Sequence, residues 1–149
     1  MNTMNKFLIL TLLLMNNLGF AQNKKSLVQN EVGQMGSVYR PPIKIGNALY
    51  ILASSGTLFK SDLDLKNQIP LFQTEKKTFS GILRDGNILY FGDGLHHDKA
   101  SFFYAYDVSK NKIIFNLPVK GHIEKFPIKY KKNIIFSAGI GGLISVNAK

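Results

Sequence analysis

The strongest constraint in this sequence is a pattern of short apolar runs that returns three times at nearly fixed spacing. The middle copy, 87–108, reads NILYFGDGLHHDKASFFYAYDV: an apolar run, a polar loop with two histidines, then an aromatic run ending in Asp-Val. Upstream, Asn47-Ala48-Leu49-Tyr50-Ile51 leads through Ser54-Ser55-Gly56 to Leu58-Phe59-Lys60-Ser61-Asp62-Leu63. Downstream, Asn133-Ile134-Ile135-Phe136-Ser137 leads through Gly139-Ile140-Gly141-Gly142 to Leu143-Ile144-Ser145-Val146-Asn147. The asparagines that open the runs lie 40 and 46 residues apart, and the Asp or Asn that close them lie 45 and 40 apart.

Within each copy the runs are short, rich in β-branched and aromatic residues, and separated by turn chemistry. This predicts strands over 39–45, 48–53, 57–63 and 69–73 in the first unit. The second unit has them over 78–83, 88–91, 101–108 and 112–117, and the third over 123–130, 134–138 and 143–147. Gly46-Asn47 and Asp85-Gly86 supply the positive φ that tight hairpin turns need. A degenerate repeat of about 40–45 residues made of short strands is the mark of a β-propeller blade. The expected fold is all-β: a partial β-propeller of about three four-stranded antiparallel blades, the last truncated, over about 39–77, 78–120 and 121–149. A ring usually takes about four to eight blades. The run 143–147 is therefore expected to present an open edge, and Ile134, Phe136, Leu143, Ile144 and Val146 to need cover. Remaining blades or another copy of the chain are the expected partners for it.

Residues 1–21 read as a secretory signal peptide. Lys6 is the positive n-region, 7–15 is the apolar h-region, and Gly19-Phe20-Ala21 places small residues for cleavage before Gln22. The alternative is an uncleaved N-terminal anchor. The apolar run is far shorter than the ~20 residues of a transmembrane helix, and no later segment could span as a helix. Residues 22–38 form a polar lead-in. The chain is expected to be exported, to the periplasm, the outer membrane surface or the exterior.

The formal charge of +10 raises nucleic acid as a partner. The lysines are scattered, however, and Arg40 and Arg84 are the only arginines, the residue that dominates specific base contacts. No nucleic-acid partner is expected. With no cysteine, disulfides, thiolate metal sites and a cysteine nucleophile are excluded.

One constellation carries metal-binding chemistry. His96, His97 and Asp98 share the loop between the second and third strands of the middle unit, and His122 and Glu124 lie in the connection to the third unit. Both segments are expected on one face of a propeller, where imidazoles and carboxylates can converge on a transition metal. The competing reading is a polar surface loop whose histidines are solvated or stack on Phe102. Gly139-Ile140-Gly141-Gly142 precedes a strand, so a hairpin turn is expected rather than a phosphate cradle. In 102–106, alternation puts Phe102, Tyr104 and Tyr106 on one face and Phe103 and Ala105 on the other, which reads as core filling. No serine stands in a nucleophile-elbow context, and no catalytic residues are assigned.

The blade phrases resemble the quinoprotein-like (PQQ-like) β-propeller repeat. Tyr90-Phe91-Gly92, Tyr104-Ala105-Tyr106-Asp107, Lys110-Asn111-Lys112, 136–139 and 142–147 match its pattern, over about 43–149. Phe72 and Phe115 stand where the family carries an outer-strand tryptophan. The resemblance implies the shared architecture, including members that act as envelope scaffolds. The family's quinone-dependent dehydrogenases hold the cofactor between a tryptophan and a vicinal disulfide, and this chain has neither tryptophan nor cysteine; no cofactor is expected. The function expected is a non-catalytic binding or scaffold module of the bacterial cell envelope, part of a longer propeller, with protein or envelope polymer as partner. The alternative is a fragment of a propeller oxidoreductase or metal-dependent enzyme. The leader yields a direct test: sequencing of the exported chain should begin at Gln22, and an intact Met1 in the membrane fraction would overturn the cleavage.

Overall fold

The computed structural model describes residues 36–148; the leader and most of the polar lead-in lie outside them. The described chain forms three antiparallel sheets. Sheet 1 contains β1 (Ile43–Ile45), β2 (Ala48–Leu52), β3 (Thr57–Ser61) and β4 (Gln68–Gln73). Sheet 2 contains β5 (Leu83–Asp85), β6 (Ile88–Gly92), β7 (Ala100–Asp107) and β8 (Lys112–Lys120). Sheet 3 contains β9 (Ile128–Tyr130), β10 (Asn133–Ser137) and β11 (Leu143–Asn147). Each is a meander in which consecutive strands pair, as expected from turns too short for crossovers.

The innermost strands are three residues long, shorter than the sequence pattern predicts. Pro41, Pro42 and Pro127 lack the N–H a ladder needs. In the middle unit side-chain hydroxyls replace strand partners. Thr78 Oγ1 donates to the Gly92 carbonyl (2.7 Å) and accepts from the Ser80 N–H (2.9 Å), and Ser80 Oγ accepts from the Gly92 N–H (3.1 Å). Residues 139–141 form a single 3-10 turn rather than a tight hairpin turn, though the strands they join pair as predicted.

The registers superimpose the units. Ile43 faces Tyr50, Leu83 faces Tyr90, and Ile128 faces Ile135. The turns that follow the first strands place Gly46, Gly86 and Lys131 at φ 57°, 59° and 55°. Lys131 thus holds a left-handed conformation that costs an L-residue with a Cβ roughly 1–2 kcal/mol. Leu52 faces Leu58, Gly92 faces Phe103, and Ser137 faces Leu143. These pairs span six, eleven and six residues, so the extra length of the middle unit lies wholly in its β6–β7 loop.

Sheet 2 is buried on both sides. Phe91, Tyr104 and Tyr106 pack against Tyr50, Leu52 and Leu58 of sheet 1, and Phe103 and Ala105 pack against Ile134 and Phe136 of sheet 3. This is the face split that alternation along β7 predicts. The rings of Phe103 and Phe136 stack with centroids 3.8 Å apart and planes 11° apart. A third apolar cluster, Ile51 and Ala53 with Leu49, Phe59 and Leu65, belongs to sheet 1. Of the sheet 3 residues expected to need cover, Ile134 and Phe136 are buried by sheet 2 and Ile144 and Val146 are half-buried, whereas Leu143 is 77% exposed.

Leu58 is fully enclosed between sheets 1 and 2. Leu58→Ala should lower unfolding free energy by about 2–5 kcal/mol, from lost transfer energy plus the cavity left behind. A urea melt showing a loss below about 1 kcal/mol would mean the sheets do not share that core.

The loop face as candidate functional site

Three kinds of segment meet at one end of the sheets: the second-to-third-strand loops (53–56, 93–99 and 138–142), the inter-sheet connections (74–82 and 121–127), and the lead-in 36–42. They are tied together by backbone bonds. Gly94 N–H donates to the Lys77 carbonyl, Ile123 N–H to the Asp93 carbonyl, and Gly121 N–H to the Lys99 carbonyl. Ser54 N–H donates to the Ser37 carbonyl, so the lead-in holds sheet 1 as the first connection holds sheet 2.

Asp93 is the buried centre of this face. Its Oδ1 accepts from the Phe102 N–H (2.7 Å), and its Oδ2 accepts from the Lys76 N–H (3.0 Å) and the Tyr104 hydroxyl (2.8 Å). The carboxylate therefore clamps the first connection onto β7. Burial raises its pKa above the usual carboxylate range despite those bonds. Burial also pushes the Tyr104 hydroxyl far up, which keeps it protonated as donor to Asp93 while it accepts from the Glu75 N–H.

The histidine loop is built on the neighbouring Asp98. Its Oδ2 accepts from the Leu95 N–H (2.7 Å), and its Oδ1 pairs with Lys76 Nζ (3.0 Å). The Leu95 N–H bond, then the Lys76 ammonium, holds its pKa low. This local turn leaves His96 and His97 exposed, their rings edge to face with centroids 5.2 Å apart. Phe102 contacts Tyr104 instead.

His122 and Glu124 belong to the second connection, where His122 passes against Gly94 of the histidine loop. Together with Lys125, Ser137, Gly139 and Gly142 they line an open cavity of about 290 Å3 between the second connection and the β10–β11 loop. Gly139 makes the close approach possible: a Cβ there would lie 2.9 Å from His122 Nδ1. Of the sequence-predicted residues, Asp98 is paired with Lys76, His96 and His97 are exposed beside it in the chain, and His122 and Glu124 line the cavity. Among the described residues no three His, Asp or Glu side chains stand close enough to hold a metal ion.

Sequence reasoning missed Arg40. Its Nε donates to the Phe79 carbonyl (2.9 Å) and a terminal nitrogen to the Glu124 carbonyl (2.7 Å), with the guanidinium 5.5 Å from the Phe126 ring centroid. One side chain of the lead-in thereby joins both connections. An arginine before Pro-Pro carries no signal of that role; only the repeat register exposes it, since Phe79 and Glu124 each stand four residues before their first strand.

Three sequential sheets, the outer two packed on opposite faces of the middle one, define a partial β-propeller. Solved structures share this fold. BamB from Moraxella catarrhalis superposes with a TM-score of 0.58 at 12% identity, over 74% of this chain and 33% of that one. The computationally designed Ika8 protein superposes with a TM-score of 0.53 at 12% identity, over 71% and 32%. The chain thus spans about a third of the length of these structures. No protein-family model matches it, and no curated protein does.

The two aspartates should titrate apart, Asp93 above and Asp98 below the ordinary carboxylate value. Folding prefers protonated Asp93, so its contribution to stability is complete below the unfolded pKa of about 3.9 and is lost as pH rises through its raised folded value. Relative to Asp93→Asn, the native protein should therefore gain stability in urea melts as pH falls from neutral. A flat or rising difference with pH would contradict this environment for Asp93.

Proposed function

We propose that this protein is an exported, non-catalytic β-propeller module of the bacterial cell envelope, of the quinoprotein-like kind, which binds protein or envelope polymer through its loop face. Its three sheets form part of a larger propeller, completed by further blades or another copy. The observation that carries the binding role is the loop-face cavity. Its wall offers an imidazole, a carboxylate, an ammonium and a hydroxyl beside the backbone of two glycines. Donors and acceptors of both signs in an open hollow suit a polar chain whose own groups alternate. The volume lies at the low end of ligand pockets, about 300–1,000 Å3, and fits one side chain or one sugar unit.

The leader and the fold supply the rest of the reading. Among the described residues no helix is long and apolar enough to cross a membrane. A photo-crosslinking residue at Ser137 in the exported chain should capture a discrete envelope component. The same residue at Lys66, in the β3–β4 turn at the opposite end, should not. Reversing both charges with Glu124→Lys and Lys125→Glu should reduce capture by about tenfold, the effect of a net loss near 1.4 kcal/mol. Equal products at both ends, or none at Ser137, would remove the loop face from the function.

A further inference from the structure

The end opposite the loop face carries most of the protein's net charge. It consists of the turns after the first strands (46–47, 86–87 and 131–132), the turns between third and fourth strands (62–67 and 108–111) and the strand ends beside them. Segments 44–48, 60–68, 84–88, 107–112 and 129–133 hold nine lysines and arginines against four aspartates. The loop-face segments hold five against four. Three of the four aspartates are engaged close by. Asp62 accepts from the Lys66 N–H (2.8 Å), Asp107 accepts from the Ser109 N–H (2.9 Å), and Asp85 pairs with Lys129 (2.6 Å). Lys44, Lys112, Lys131 and Lys132 are exposed.

Sheet 3 shows the charge most plainly. Its first turn is Lys131-Lys132, where the other sheets have Gly46-Asn47 and Gly86-Asn87. The position of Lys131 has φ 55° and strains a residue with a Cβ, whereas Gly46 and Gly86 meet the same demand without strain. The chain thus accepts strain where the result is two ammonium groups at a turn tip. The three turns also stand level. Arg84 Nη1 donates to the Lys44 carbonyl (3.3 Å), which ties sheet 2 to sheet 1, and the Lys129–Asp85 pair ties sheet 3 to sheet 2. Further sheets would pack on sheet faces, so this end stays exposed in a larger propeller too.

A polymer strand is held by a row of cations. Cations spread at one level across three sheets suit a plane of negative charge instead. We propose that this hairpin end docks on an anionic lipid bilayer, with the turns of all three sheets against the headgroups. The loop face is then turned away from the membrane and left open to its own partner. Each cation near such a surface strengthens attachment roughly fivefold. A fluid leaflet offers no discrete component to a crosslinking residue at Lys66, so this docking agrees with the absence of capture expected there. It goes beyond the loop-face reading and is tested without it.

The test is co-sedimentation of the exported chain with lipid vesicles. Vesicles of phosphatidylcholine mixed with phosphatidylglycerol should bind it, and vesicles of phosphatidylcholine alone should not. Raising salt from about 0.1 M to about 1 M should release it, as the screening length falls from ~10 Å to ~3 Å. Lys131→Gly/Lys132→Asn gives sheet 3 the turn of the other sheets and should keep the fold, read as an unchanged circular dichroism spectrum. It should weaken binding about 25-fold, at roughly fivefold per cation. Lys77→Gln/Lys99→Gln removes the same charge from exposed side chains at the opposite end and should leave binding unchanged. Absence of binding to the anionic vesicles would overturn the proposal. So would equal losses in the two double variants, or full binding by the turn variant. Retention of soluble polyphosphate through the same turns without vesicle binding would replace the bilayer with a polymer, and so overturn it as well. Loss of loop-face capture with vesicle binding intact would sink the proposed function and leave this docking standing.

Discussion

The burial of sheet 2 on both faces is the constraint on which the rest depends. A strand of alternating side chains normally has one wet face and one dry. β7 has none that is wet over 103–107: Tyr104 and Tyr106 enter one core and Phe103 and Ala105 the other. Neither neighbour can leave without uncovering a full set of aromatic rings. Burial of apolar area at about 25 cal/mol per Å2 thus couples three meanders that share no backbone ladder.

Apolar burial sets which faces meet but leaves the sheets free to slide, and the polar groups of the loop face fix their relative height. Asp93 binds two backbone N–H groups from different segments and one tyrosine hydroxyl. Arg40 binds carbonyls of both connections. Each bond is directional, so each removes a freedom that packing alone allows. The desolvation that raises the Asp93 pKa is the cost of placing the clamp where it touches all its partners.

Strands, hairpins and face assignments were legible because they rest on local signals: period two, Gly and Asn at turns, and aromatics on alternate positions. The inner strands were overread because their apolar residues continue past the last ladder bond into connections held by Thr78 and Ser80 hydroxyls. His96 and His97 stood out as chemistry-bearing types, yet their placement depends on Asp98 folding back on Leu95 and Lys76, and Lys76 lies 22 residues away. Asp93 and Arg40 were silent as organisers for the same reason: their partners come from distant parts of the chain. The unequal repeat spacing was visible in the sequence, but only strand register shows which loop contains the difference.

That register has a consequence for how such a chain can change. The turns after the first strands are two residues long in all three units, and eleven residues join Phe72 to Leu83 and Leu117 to Ile128 alike. All the length variation between units falls in the loops between second and third strands. The end with the two-residue turns is thus constant in length, while at the loop-face end the connections keep their length and only the loops between second and third strands differ. The β6–β7 loop already contains five residues more than its counterparts, closed on itself by Asp98. It marks the site at which foreign sequence could be spliced into this architecture with the least disturbance to its frame.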